Sequence, residues 1–370
     1  KNNYYMKLQK IVSHLNEIFC IKNAENFDNV GLLCGNLDRE ITGALVCHDT
    51  LESVVDEAID KGLNLIVSFH PIIFSGLKSI TGKNYVEKSV LKAIENKIAI
   101  YAIHTAFDND YFGVNYKICE ALGLQNQKIL IPKQENLKKL EVYVPVNYTE
   151  SVKNAILEAG AGSIGFYDEC SFSIKGEGTF RAKEGANPFI GSKNIRENVE
   201  ETLITFVFEG DKQNAILRAM KESHPYEEVA HQIIKIENEN PYIGLGRYGD
   251  LITPLSEEQF LYFVKDTFNL KVIRHSSFLG KEIRRVGVLG GSGTSEIGMA
   301  KRVGCDAYLT GDYKYHDFFQ AENEILLCDI GHFESEQFIV QQIFEKISKK
   351  IPNFAVYKTS VNTNPVNYFL

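Results

Sequence analysis

Two parts of the chain alternate between apolar segments and segments with a helical period. In the first part the apolar segments, rich in Val, Ile and Leu, are residues 41–49, 64–70 and 98–105, and helical patterns cover 53–62 and 85–97. Segments that are apolar along their whole length are typical of strands buried on both faces of a parallel sheet. The pattern therefore predicts an α/β fold in which helices flank a mainly parallel sheet.

The same alternation resumes late in the chain. Apolar segments at 284–291, 306–312 and 324–332 are separated by two segments of helical character. We therefore expect the early and the late parts to form two halves of one α/β domain.

The middle of the chain follows a different pattern. After a polar linker at 132–139, the segments read as strand, helix, strand, helix and strand, with a hairpin-like stretch around 170–180. This order predicts an inserted ferredoxin-like α+β domain. We place the insert at 137–240, between domain halves at 1–132 and 244–370.

A turn is predicted for residues 244–250, GLGRYGD, where the chain returns to the first domain. The segment matches the GxGxxG pattern, but a dinucleotide fingerprint should follow a strand and open a helix. DLITPLSEE follows instead.

Composition and charge narrow the class of protein. The 370 residues are 44% hydrophobic and 24% charged, which is ordinary for about two folded domains. The apolar runs are shorter than the roughly 18 residues needed to cross a bilayer, and the start lacks the apolar core of a signal peptide. We expect a cytoplasmic protein without a membrane partner.

The cysteines argue against a disulfide framework, and the net charge argues mildly against a nucleic-acid partner. The seven Cys include no CxxC pair and lie mostly in apolar stretches, so we expect reduced core residues rather than a disulfide framework. A formal charge of -8 without a concentrated basic block argues against a nucleic-acid partner.

Imidazoles and carboxylates gather where the predicted strands end. These positions are His48, Asp49, His70, His104, Asp108, Asp312, His316, Asp329, His332 and Glu336. In open α/β sheets, ligands bind beyond the carboxyl ends of the strands, so six neighbouring parallel strands would turn these groups toward one crevice. Taken singly, His48 or His104 is more often a hydrogen-bonded structural residue, and Asp49 or Asp312 a cap of the following helix. Grouped imidazole and carboxylate ligands suit Zn, Mn or Fe.

The stretch DIGHFESEQF makes this expectation concrete. His332 and Glu336 are four residues apart, so on a helix they share one face. The alternative is a helix start at which Glu334 and Glu336 complement the helix dipole. The Gly-rich segment GGSGTSEIG at 290–298 has two interpretations as well: an anion-binding turn or a tight structural turn.

Across nearly the whole chain, the sequence resembles the NIF-three-like dinuclear metal-centre family, also described as GTP cyclohydrolase type-two homologues, in the longer form with an inserted CutA/PII-like domain. The resemblance is carried by FDNVGLLCG, FHPIIF, HTAFDN, HPYEEVA, GGSG, DAYLTGDYKYHD and GHFESE, together with EAGAGSIGFYDECSFSIKGEGTF and EGANPFIG in the insert. It implies a toroidal homohexamer with two divalent metal ions per subunit.

Position by position, the resemblance assigns His70, Asp108, His332 and Glu336 as metal ligands. One position departs from the family pattern, in which two adjacent His usually precede the Pro, because Phe69 stands at the first of them. Our hypothesis is that one metal position is altered, with help from His48 or His104.

Two classes of function follow from these expectations. The first is a metal-dependent hydrolase acting on a small molecule, a nucleotide such as GTP or a phosphoester, with His104 and His316 as proton-transfer groups. The second is a non-enzymatic metal-binding or regulatory hexamer. In the insert, His224, Tyr226, Glu227 and Glu228 are interpreted either as a structural junction or as a second ligand site.

Overall fold

The structure is a computed structural model that describes residues 5–134 and 137–369. Glu135 and Asn136, inside the predicted polar linker, lie outside the described residues, as do residues 1–4 and 370 at the predicted outer domain bounds. The α-helices are α1 Leu8–Ile18, α2 Glu52–Asp60, α3 Tyr85–Glu95, α4 His104–Asp108, α5 Val114–Ala121, α6 Thr149–Glu158, α7 Gln213–Ser223, α8 Glu257–Thr267, α9 Ile297–Arg302, α10 His332–Ser335 and α11 Ile339–Lys350.

The strands are β1 Met6–Lys7, β2 Gly31–Cys34, β3 Glu40–Ile41, β4 Ala44–Cys47, β5 Leu65–Ser68, β6 Ala99–Ala102, β7 Gln125–Lys133, β8 Leu137–Pro145, β9 Phe172–Arg181, β10 Arg196–Glu209, β11 His231–Lys235, β12 Asn240–Ser256, β13 Arg274–His275, β14 Glu282–Ser292, β15 Ala307–Gly311, β16 Leu326–Asp329 and β17 Val356–Lys358. Short 3₁₀ turns lie at Ile21–Asn23, Val146–Tyr148, Gly210–Lys212, Thr294–Glu296 and Tyr315–Ala321.

The chain divides into two compact units. Unit 1 consists of the residues up to Ile131 together with those from Ile243 onward, and unit 2 is Pro132–Tyr242. Among the described residues, no helix combines the length and the apolar character that crossing a membrane requires.

Unit 1 contains two mixed sheets. One has the order β17-β4-β5-β6-β2 and the other β13-β16-β15-β14-β12-β7. In the first, the neighbours from β17 to β6 are parallel, and β2 is antiparallel. In the second, β14, β15 and β16 are parallel, whereas β12 and β13 are antiparallel. The fold is thus mixed α/β.

This arrangement differs from the single crevice of six neighbouring strands that the sequence predicts. Strands β4, β5 and β6 belong to one sheet and β14, β15 and β16 to the other. Both sets are apolar because both are buried: every residue of β4, β5 and β6 lies in the core. An apolar pattern reports burial and does not say which strands are hydrogen-bonded neighbours.

The predicted turn at 244–250 is wrong, because these residues lie within β12. Its glycines permit close backbone packing: a Cβ on Gly244 would lie 2.0 Å from the carbonyl oxygen of Ile131, and one on Gly249 would lie 2.8 Å from that of Gln125. A glycine-rich strand was read as a turn because both need residues without side chains.

Unit 2 contains an antiparallel sheet with the order β11-β8-β10-β9. Helix α6 follows β8 and helix α7 follows β10. Alternate residues of β10, including Ile204 and Phe206, pack in one apolar cluster with Ile156 of α6 and Met220 of α7. The helices therefore cover one face of this sheet.

Candidate metal centre

Two neighbouring parallel strands bring histidines to the edge of the first sheet. His48 follows β4 and His70 follows β5, and the ladder continues past the strands because the amide of His70 donates to the carbonyl of His48 at 2.9 Å. His48 is 5% exposed. Phe69, between β5 and His70, is fully buried, and its ring stacks on that of His48 with centroids 5.7 Å apart.

The second sheet supplies His332 and Glu336 from the turn after β16. Gly331, with a φ of 85°, lets the chain leave the strand and begin the single-turn helix α10 at His332. Glu336 is the C-cap residue of this helix and is 4% exposed. The predicted four-residue spacing therefore places both side chains on the same side of one turn.

Three imidazole nitrogens converge on one carboxylate oxygen. Nε2 of His48, His70 and His332 lie 2.7, 3.5 and 3.4 Å from Oε2 of Glu336. Nε2 of His70 and Nε2 of His332 are 3.4 Å apart. We call these four residues the Glu336 cluster. The ligand atoms of His48, His70 and Glu336 lie within 4.8 Å of one another, the spacing expected of groups that hold a metal ion.

The second ring nitrogens face carboxylates. Nδ1 of His70 is 2.8 Å from Asp49, and Nδ1 of His332 is 2.7 Å from Asp312. A carboxylate at Nδ1 fixes the ring and leaves Nε2 as the ligand atom, which is how metal-binding histidines are commonly oriented. Asp49 is held in turn by the hydroxyl of Thr363 at 2.7 Å.

His104 and Asp108 extend this polar region along α4. The ring of His104 contacts that of His70, with centroids 5.2 Å apart, and its Nδ1 is 2.8 Å from Asp28. Asp108 is 8% exposed, and among the described residues its Oδ1 has no hydrogen-bond partner. A buried, unpaired carboxylate oxygen beside a cluster of imidazoles is a position that a cation would satisfy.

The electrostatics of the site are set by burial and by the mutual effects of its charges. Burial, together with the charge of Glu336, raises the pKa of Asp108 well above its ordinary value. Burial also opposes ionisation of Glu336, but the hydrogen bond from His48 and the charges of His70 and His332 lower its pKa. For His48, burial is outweighed by Asp49 and Glu336, which raise the pKa to about 9.

The residues present thus fit a divalent metal centre. The donor set is imidazole and carboxylate, its ring nitrogens are oriented by second carboxylates, and the buried Oδ1 of Asp108 lacks a partner in the described part of the chain. Two clefts of about 570 and 580 Å³ reach this region, and both are lined by Asp49 and His70.

Not every predicted site residue joins the cluster. His316 is exposed in the 3₁₀ turn after β15, and its ring contacts are with Tyr315 and Phe319. In the GGSG segment, the amides of Gly290 and Gly291 donate to the side chains of Asn115 and Ser335. These bonds favour the interpretation of the segment as a structural turn.

Gly291 also explains why this turn is glycine-rich. Its φ is 71°, and a Cβ there would lie 2.5 Å from Oε1 of Glu336 and 3.3 Å from Nε2 of His332. Glycine at this position therefore leaves space for the side chains of Glu336 and His332.

Two contributors were missed at the level of sequence. Asp28 accepts from the Thr105 amide at 3.0 Å and lies beside His104, and Asn115 joins the Asp108 carbonyl to the Gly290 amide. Asp28 lies in the FDNVGLLCG segment that carries the family resemblance, which was the available signal. No strand-end argument points to Asn115, because it lies within α5.

Comparison with known proteins agrees with this architecture. The model of the family described as Duf34/NIF3 (NGG1p interacting factor 3) matches residues 6–365. This chain belongs to the Duf34/NIF3 family. Two Duf34/NIF3 relatives, each named GTP cyclohydrolase 1 type 2 homolog, come from Halalkalibacterium halodurans and Bacillus subtilis. The first is 41% identical over 92% of this chain and 93% of its own, and the second is 38% identical over the same shares.

Solved structures of related proteins are similar to this chain. A Bacillus cereus protein related to NIF3 is 36% identical, with a TM-score of 0.85 over 98% of this chain and 99% of its own. A Staphylococcus aureus protein is 29% identical, with a TM-score of 0.79 over the same shares. These likenesses cover both units of the chain.

Proposed function

We propose that this protein is a divalent-metal-dependent hydrolase of small molecules. One observation carries the proposal: three imidazole nitrogens from two different sheets converge within 3.5 Å of one oxygen of the buried Glu336 carboxylate. Packing alone gives no reason to bury that many ionisable groups against each other, because each pays a desolvation cost that a bound cation would offset.

His70, Asp108, His332 and Glu336 hold the metal in this proposal, with two ions per subunit of the Zn, Mn or Fe type. Glu336 and Asp108 would supply the buried carboxylate oxygens of this ligand set, and the charge of Glu336 acts on Asp108. A bound ion would supply Lewis-acid polarisation of a water or of a substrate oxygen.

We further propose that His48 supplies the imidazole that is absent at Phe69. Phe69 is fully buried, whereas His48 presents Nε2 to Glu336 from the adjacent strand. A double variant, His48→Ala with His104→Ala, tests this compensation. Elemental analysis that finds two tightly held ions per chain in both the wild type and the double variant would rule it out.

Proton transfer is assigned to His104 and, as in the sequence-based expectation, to His316. The geometry favours His104, which Asp28 orients beside His70. Exposed His316 serves only if substrate binding brings its ring toward the cluster.

The proposed substrate is a nucleotide or another phosphoester. The cleft of about 570 Å³ is lined by the three histidines of the cluster, together with Arg274, Val366 and Tyr368. The Arg274 guanidinium pairs with Asp329, and in this proposal it would also meet an anionic substrate, since guanidinium groups match phosphate geometry. The name of the relatives makes GTP the first compound to test.

The rival proposal is a non-enzymatic metal-binding hexamer in which no substrate is turned over. One assay separates the two functions: chelator-treated protein, reloaded with Zn, Mn or Fe, is incubated with GTP and a panel of phosphoesters. Turnover by wild type that disappears in Asp108→Ala supports the hydrolase. Stoichiometric metal binding without turnover of any compound supports the rival.

The proposal also covers the oligomeric state, the fold of the insert and the cellular location. We propose a homohexamer, testable by light scattering on the eluted protein, and a ferredoxin-like insert in unit 2, supported by its strand order and its two helices. A cytoplasmic location is supported by the seven cysteines, all of which are free.

A further inference from the structure

A third cleft, of about 510 Å³, lies wholly within unit 2. It lies on the sheet face away from α6 and α7, because Thr202 and Ile204 of β10 point toward the helices and the lining residue Glu201 therefore points the other way. The cleft shares no residue with the metal centre.

The floor of the cleft offers hydrogen-bond acceptors. Glu201 pairs with Gly176 on β9, and its carboxylate extends over Gly178, where a Cβ would come within 2.1 Å of Oε2. The Tyr226 hydroxyl is buried, and together with Glu201 this burial raises the pKa of the phenol. Among the described residues, the hydroxyl has no partner at hydrogen-bond geometry.

The walls combine aromatic rings with cations. The rings of Phe180 and Phe189 lie 6.0 and 6.4 Å from that of Tyr226, and all three residues line the cleft. Arg181 and Lys183 also line it, and both side chains are exposed. A ligand that satisfies these groups needs N–H donors for Glu201, a flat apolar body for the rings and an anionic group for Arg181 and Lys183.

We propose that this cleft binds a guanine-type nucleotide. The adjacent N1–H and N2–H donors of a guanine edge match a single carboxylate, so Glu201 would accept both. The aromatic rings provide a surface for the base, and Arg181 and Lys183 provide cations for the phosphate. Adenine presents a ring lone pair at the equivalent position, which the Glu201 carboxylate would repel.

Two glycines on β9 provide a matched test. Gly178→Ala places a methyl group where the Glu201 carboxylate lies, whereas a Cβ on Gly176 would meet nothing within 4 Å. Glu201→Gln is a nearly isosteric third variant, which keeps the proposal testable even if Gly178→Ala does not fold.

The experiment is calorimetric titration of the chelator-treated full chain with GMP and with AMP. We expect saturable GMP binding, AMP binding weaker by about tenfold or more, and a similar loss of GMP affinity in Gly178→Ala and Glu201→Gln. Gly176→Ala should bind GMP as the wild type does, and circular dichroism melting checks that each variant is folded.

Several outcomes would overturn the assignment. These are the absence of saturable GMP binding, equal affinity for AMP, or unchanged GMP affinity in folded Gly178→Ala or Glu201→Gln. Because the titration uses metal-free protein and variants of unit 2, its failure leaves the metal-dependent hydrolase standing, and loss of hydrolysis would not count against it.

Discussion

His70 in unit 1 and His224 in unit 2 are two buried or half-buried histidines with opposite surroundings. His224 uses both ring nitrogens on the backbone: Nε2 donates to the Tyr143 carbonyl at 2.9 Å, and Nδ1 accepts from the Tyr226 amide at 3.0 Å. Nδ1 of His70 faces Asp49, while its Nε2 faces Glu336 and His332. What separates the structural histidine from the candidate ligand is the partner of each ring nitrogen: backbone groups for His224, and side-chain carboxylates and an imidazole for His70.

The same comparison resolves the HPYEE segment in favour of a structural junction at His224. Burial lowers the pKa of this histidine, as expected for a ring that is held neutral by two backbone partners. Tyr226, two residues later, is anchored by that ring and lines the cleft of unit 2.

The sharpest test removes the carboxylate at which the three imidazoles meet. In Glu336→Gln we expect metal affinity to fall by more than about 100-fold, beyond what loss of an outer partner usually causes. Glu334→Gln is the matched control, because Glu334 lies in the same turn and accepts instead from Asn364 at 3.1 Å. Competition with a chelating dye measures both, and equal affinities would refute the ligand role of Glu336.

A smaller loss is expected when only the orientation of a ligand is disturbed. Asp312→Asn removes the carboxylate 2.7 Å from Nδ1 of His332 and should weaken metal binding by about 10- to 100-fold. Asp317→Asn, in which the altered side chain caps the Lys314 amide, should bind metal normally. If Asp312→Asn and the wild type show equal metal affinities in the same dye competition, Asp312 does not orient a ligand.

His224→Ala tests the other side of the comparison. Loss of two backbone hydrogen bonds at a residue that is 7% exposed should lower the free energy of unfolding of unit 2 by about 1 to 3 kcal/mol. Metal content measured by elemental analysis should not change. A lower metal content in the folded variant would show that unit 2 holds a metal after all.

The smallest effect concerns a carboxylate that the chain itself satisfies. Glu57 accepts from Lys61 and from the amide and hydroxyl of Ser360, and these bonds outweigh burial and lower its pKa from 4.5 to about 2. Glu57→Gln should lower the free energy of unfolding by about 1 kcal/mol at pH 7.

The pH dependence gives the sign of this effect. The folded-state pKa is depressed, so the stabilisation is complete above pH 4.5 and is lost as the pH falls toward 2. Denaturant titrations of both proteins should therefore converge at low pH. A difference that grows on acidification would contradict the assignment.

The sequence predicted the strands that carry the site better than it predicted their arrangement. Apolar runs located β4, β5 and β6, and their polar ends pointed to His70 and His332. The division into two sheets was missed, because hydrogen-bond pairing between distant strands leaves no local pattern. The carboxyl ends of the two sheets meet, so His70 lies beside His332 and Glu336 although these residues follow strands of different sheets.

The details of the site that the sequence does not determine have similar causes. His316 lies five residues after β15 and His332 three residues after β16, and the course of the backbone after each strand brings His332, not His316, to the cluster. Asn115 was missed because its contribution is two backbone contacts from within a helix. GLGRYGD was misread because glycine marks both a bend and a close approach of backbones.

The ring of His70 meets that of His332 across 262 positions of the chain. During synthesis, therefore, His48 and His70 leave the ribosome long before the turn that carries Glu336 has been made. Until that turn is made, the early segment has imidazoles but not the carboxylate on which they converge, so the proposed metal centre can be complete only in the finished polypeptide.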